Sequence, residues 1–148
     1  MGPLSAEDLL NEQEQARVHA AIRAAESRTS GEIRVHIDDN IVDDVLDHAA
    51  FIFQELAMHR TEERNGVLIY VSAAQRRAAV IGDSGINARL PHSYWNETLG
   101  AVLDRFRQGQ YAEGLCAGIE RLAGQLERHF PRQSDDRNEL SDQCSYGQ

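Results

Sequence analysis

Apolar positions recur along the chain with two periods, and each change of period marks an element. Val18, Ile22 and Ala25 share one face at helical spacing. Asn11 can cap that helix, and Glu14, three residues on, can reach back to complete a capping box. Glu12 and Glu14 suit the positive helix start, and Gly31 follows an end near Arg28. Upstream, Ser5 with Asp8 predicts a short preliminary turn. Over 32–38 the period falls to two: Ile33, Val35 and Ile37 alternate with Glu32, Arg34, His36 and Asp38, the pattern of a half-buried strand. A second helix is predicted over 43–58, with Val45, Ala49, Ile52 and Leu56 on one face, widened by Leu46 and Phe53. The polar stretch His59–Asn65 ends it. Residues 66–72, GVLIYVS, form an apolar, β-branched run expected of a central strand covered on both faces.

A polar turn at Ala74–Arg76 leads to a third strand over 77–83, paired with the second as a hairpin. Gly82, Gly85 and Pro91 break the chain into a loop with room for one helical turn. Two helices follow. Trp95, Leu99, Val102, Leu103 and Phe106 face one way in the first; Tyr111, Leu115, Ile119, Leu122 and Leu126 share a face in the second. Gly109 separates them, and Pro131 stops the second near His129. Residues 132–148 are polar and aperiodic and are expected to be a flexible tail on a domain of residues 1–131.

Strand, helix and strand in this order predict a right-handed βαβ crossover with a hairpin strand added. The fold class is α/β: a three-layer α/β/α sandwich with a small mixed sheet flanked by helices. With strands one and two parallel and strand three returning, 29–32, 64–66 and 83–85 meet at one edge of the sheet. Asp38, Asp39 and Ser72 lie at the other. The topology thus sets two candidate sites against each other.

The 148 residues suit one domain, and apolar (41%) and charged (26%) fractions are those of a globular chain. All 15 basic residues are Arg, against 24 acidic ones, for a formal charge of −9. This balance argues against a nucleic-acid partner, whose grip needs a basic surface. No run approaches the roughly 20 apolar residues of a membrane span. The first residues lack a basic-then-apolar leader, which predicts a cytoplasmic location. Cys116 and Cys144 match no zinc or redox spacing, and the six His include no His-x3-His pair. Neither a Gly-x-Ser-x-Gly elbow nor a Walker loop occurs, so no catalytic nucleophile is identified.

Several segments resemble one family. LLNEQEQARVHAAIRAAESRTSGEIRVHI is similar to the opening of the TPM domain, with its Thr-Ser-Gly-Glu strand start. MHRTEERNGVLIYVSAAQRRAAVIGDSGI resembles its central strand, hairpin and Gly-Asp-x-Gly-Ile turn; GLCAGIERLAGQLERHFP and NELSD resemble the short soluble members. The resemblance spans nearly all of residues 9–142 and implies an α/β/α sandwich. The family takes its name from plant thylakoid-lumen proteins, a photosystem-associated protein and an animal receptor-modulating protein. Some members are described as acid phosphatases, and some bind a divalent metal such as calcium. This chain departs from the longer exported members, which carry a Gly-Leu-Glu after the third strand: here the turn reads Gly85-Ile86-Asn87. A metal site that relied on that carboxylate would be weaker, or displaced onto Asp83.

The resemblance, joined to the edge topology, makes Asp83 and Glu32 the candidate metal ligands. A carboxylate between glycines, exposed carbonyls and a second carboxylate suit calcium or magnesium. Asp83 can equally cap the following turn. Arg64 is a candidate anion holder, since its planar fork matches phosphate, or a structural partner of Glu32 or Asp83. The opposite edge offers Asp38, Asp39, Asp43, Asp44 and Asp47; carboxyl ends of strands are the usual ligand side of open sheets, and helix-start charge also accounts for Asp43 and Asp44. Two functions follow: a weak calcium- or magnesium-binding, phosphatase-like hydrolase of phosphate esters, or a non-catalytic module that engages a protein partner.

Overall fold

The computed structural model describes residues 4–41 and 43–132, and the backbone of the pair 145–146. A short helix α1 (Ala6–Leu9) is capped by the Ser5 side chain. Helix α2 (Glu12–Glu26) starts on the predicted capping box: Asn11 Oδ1 accepts from the Glu14 N–H at 2.8 Å, and Glu14 Oε1 accepts from the Asn11 N–H at 2.9 Å. Strand β1 (Glu32–Asp38) crosses through helix α3 (Val45–Glu55) to strand β2 (Gly66–Ser72), and strand β3 (Arg77–Gly82) returns. A single helical turn α4 (Ser84–Asn87), the long helices α5 (His92–Phe106) and α6 (Tyr111–His129), and a two-residue strand β4 (Ser145–Tyr146) complete the order.

The sheet order is β3-β2-β1-β4. Strands β1 and β2 are parallel, with Glu32 opposite Gly66 and Asp38 opposite Ser72. Strand β3 is antiparallel to β2, with Gly82 opposite Val67 and Arg77 opposite Ser72. Strand β4 pairs in parallel with β1 at His36 and Ile37. One face of the sheet packs Ile33, Val35, Ile37, Val67, Ile69 and Val71 against α2, α5 and α6. The other packs Leu68, Tyr70 and Ala79 under α3, through Ala49 and Phe53. The layers are those of an α/β/α sandwich.

Three details differ from expectation. The predicted helix over 43–58 ends at Glu55, because Ala57 takes a left-handed backbone (φ 57°) before a 3-10 turn at Met58–Arg60. The third strand stops at Gly82, where Asp83 turns to cap α4. Strand β1 is not half-buried: Glu32, His36 and Asp38 on its polar side are buried as well. The tail expected over 132–148, with its NELSD piece, falls mostly outside the described residues. Its residues 145–146 add the short pairing to β1.

Candidate functional site

At the amino edge the sheet pairs Arg64 with Asp83, while Glu32 lies at the same edge on β1, with β2 between it and the end of β3. Glu32 faces Gly66 across the ladder, and the Asp83 N–H donates to the Gly66 carbonyl at 2.9 Å. Arg64 closes a two-pronged pair on Asp83: Nε lies 2.6 Å from Oδ2 and Nη2 lies 2.8 Å from Oδ1. Asp83 Oδ1 also accepts from the Ser84 N–H at 2.7 Å, which caps α4. The carboxylate in turn raises the Arg64 pKa through that hydrogen bond and its charge. The backbone follows the same plan. The Gly85 N–H donates to the Arg64 carbonyl at 2.8 Å, and a Cβ on Gly85 would sit 2.7 Å from that oxygen. Gly82 leaves room for the Trp95 ring. The Gly-Asp-x-Gly turn is thus a latch in which Arg64 is the structural partner of Asp83. A cation held by Asp83 would first have to displace the guanidinium.

The carboxyl edge is built differently. Asp38 ends β1 with its carboxylate buried. The Tyr70 hydroxyl donates to Asp38 Oδ2 at 2.6 Å, and His36 Nε2 lies 2.9 Å from Oδ1. His36 and Tyr70 stand opposite each other in the parallel register, and their rings stack with centroids 6.0 Å apart. From the first turn of α3, His48 reaches in. Its Nε2 is 3.4 Å from Asp38 Oδ2, and its Nδ1 is 3.0 Å from Asp43 Oδ1. One imidazole therefore spans two carboxylates, with its side chain 25% exposed. Burial is the main cause that raises the Tyr70 pKa, with the bond to Asp38 adding to it. Burial also lowers the His36 pKa, against the pull of Asp38.

The other aspartates of this edge have local work. Asp39 Oδ1 accepts from the Ala6 N–H at 2.7 Å and ties α1 to the sheet. Asp44 caps α3 by accepting from the N–H groups of Leu46 and Asp47. Asp43 pairs with His48, five residues on. Sequence reading found Asp38 and Asp43 but missed Tyr70, His36 and the bridging role of His48. The available signal was the two-residue spacing of His36 and Asp38, which puts both on one face of β1. Tyr70 joins them only once the β1–β2 register is known.

A mixed sheet between helical layers, with polar clusters at both strand ends, defines an α/β/α sandwich of the single-sheet type. The TPM domain model matches residues 5–125, and the chain belongs to the TPM domain family. Among solved structures, it is similar to the BA42 protein of the psychrophilic bacterium Bizionia argentinensis, at 40% identity. That match covers 95% of this chain and 97% of the other, with a TM-score of 0.89. The N-terminal domain of a P. gingivalis protein is similar at 25% identity, covering 87% of this chain and 86% of the other, with a TM-score of 0.69. The N-terminal domain of the cg2496 protein of Corynebacterium glutamicum shares the fold at 12% identity, with 91% and 79% covered and a TM-score of 0.61. No curated protein sequence matches the chain. Among the described residues, no helix is long and apolar enough to cross a membrane.

Proposed function

We propose that this TPM-domain protein binds calcium or magnesium weakly at the carboxyl edge, through Asp38 and Asp43. The observation that carries this reading is the contrast between the two edges. Asp83 is neutralised by a two-pronged guanidinium, whereas Asp38, itself held by the Tyr70 hydroxyl and His36, meets no guanidinium and is bridged to the more exposed Asp43 by one imidazole. Among the described residues no three His, Cys, Asp or Glu side chains stand ready to hold a metal. The donor set is therefore two carboxylates, short of the six to eight oxygens calcium prefers, and water must complete the shell. His48 has to swing aside for the cation to enter, which weakens binding further.

A bound cation would polarise a phosphoryl oxygen, the chemistry that the phosphatase-like reading of the family needs. The chain's own residues do the positioning. Tyr70 and His36 fix the Asp38 carboxylate, and His48 bridges it to Asp43 at the rim. Isothermal calorimetry with calcium tests the site. Asp43→Asn should abolish the heat, and His48→Gln should bind at least as tightly as the parent, because it removes the competitor. Glu32→Gln and Asp83→Asn should retain binding. Loss with those two alone would return the site to the amino edge. No heat from the parent at millimolar calcium would remove the cation reading.

A further inference from the structure

Helix α3 is covered on one side only. Ala49 and Phe53 are buried against the sheet, while Leu46 and Phe51 are 55% and 54% exposed. Asp47, Phe51 and Glu55 follow one another at four-residue spacing, so Phe51 has a carboxylate one turn to either side. Leu46 and Ala50 form the adjoining row. From Asp38 to Glu55 the chain carries six carboxylates and neither Arg nor Lys. On α6 and α5, by comparison, exposed acids meet arginines: Arg28 pairs with Glu120 and Glu127, and Arg107 with Asp104. The outer face of α3 therefore sets an exposed ring among carboxylates, on a helix that carries no arginine of its own.

We propose that the outer face of α3 is a docking surface for a cationic, apolar segment of another protein, with an Arg or Lys of that segment over Phe51 between Asp47 and Glu55. Three contributions converge there: the ring face attracts a cation, the flanking carboxylates pair with it, and Leu46 accepts a neighbouring apolar side chain. The charge decides the occupant. A second copy meeting this face symmetrically would set its acidic rows against each other. Nucleic acids and anionic membranes are repelled by the same field. The surface adjoins the proposed cation site, since the Phe51 ring meets the His48 ring with centroids 5.7 Å apart, but Asp47 and Glu55 are not among that site's ligands, and the peptide is tested without calcium.

The test uses the full chain labelled with 15N and a short synthetic peptide that alternates Arg-Arg with Leu-Leu. Shifts should concentrate on 46–55. Phe51→Ala should weaken binding by about tenfold, as expected for a central aromatic contact. Phe51 is 54% exposed, so an unchanged spectrum elsewhere confirms the variant fold. Asp47→Asn with Glu55→Gln should weaken binding comparably and remove its salt dependence. A matching peptide with Gln for Arg should bind far more weakly. Equal binding of that neutral peptide, shifts away from α3, or indifference to Phe51→Ala would overturn the proposal. So would self-association of the parent, or capture by phosphatidylcholine vesicles, that Phe51→Ala abolishes.

Discussion

Asp83 shows how much structural work a short motif carries. Its carboxylate is 7% exposed, accepts two bonds from Arg64 and caps α4. Asp83→Ala should therefore cost about 1–3 kcal/mol in urea unfolding, the range for a lost cap and a lost charged hydrogen bond. Arg64→Ala should cost less, since its side chain is half exposed. At the carboxyl edge, Tyr70→Phe removes the hydroxyl from a buried carboxylate and should cost about 1.5–3 kcal/mol. His36 gives the stability a pH dependence with a definite sign. Burial lowers its pKa below the ordinary value of 6.5, so the unfolded chain takes up the proton first. Its contribution is full above the ordinary histidine range and is lost as pH falls through that range toward the lowered value. Denaturation midpoints at about pH 7.5 and about pH 5 should differ less in His36→Gln than in the parent.

Elements place these residues, and glycines set how closely the elements approach. In α6, a Cβ on Gly114 would sit 2.8 Å from the Val102 carbonyl of α5, while Gly124 has nothing within 4 Å. Gly124→Ala should stabilise the protein by about 0.5–1 kcal/mol by restricting the unfolded chain, and Gly114→Ala should destabilise it. Thermal melts of the two variants check the contrast. The same elements show what periodicity conveys. The apolar run 66–72 and the alternation of 32–38 mark β2 and β1 at their observed ends, because burial on fixed faces leaves a direct trace in the chain. The network at Asp38 leaves no such trace. Its members come from β1, β2 and α3, and Tyr70 reads as one more apolar residue until the register sets it opposite His36. The early end of α3 was equally hidden, since nothing about Ala57 marks a left-handed backbone.

Across the whole molecule, the parallel β1–β2 pair separates two polar clusters to opposite ends of one buried sheet. The amino end is closed by an Arg–Asp latch, and the carboxyl end is spanned by His48 between two carboxylates. The net charge of −9 deepens the field at the second end, where no arginine intervenes between Arg34 and Arg60. The proposed cation site is placed there because of this asymmetry and not because of the motif that first attracts notice. The most direct measurement is a calcium titration of the 15N-labelled chain followed over every backbone amide. The account predicts fast-exchange shifts centred on 38–48 and on Tyr70, with the amides of Glu32, Arg64 and Asp83 unmoved. Shifts centred on those three amides, with 38–48 silent, would contradict it.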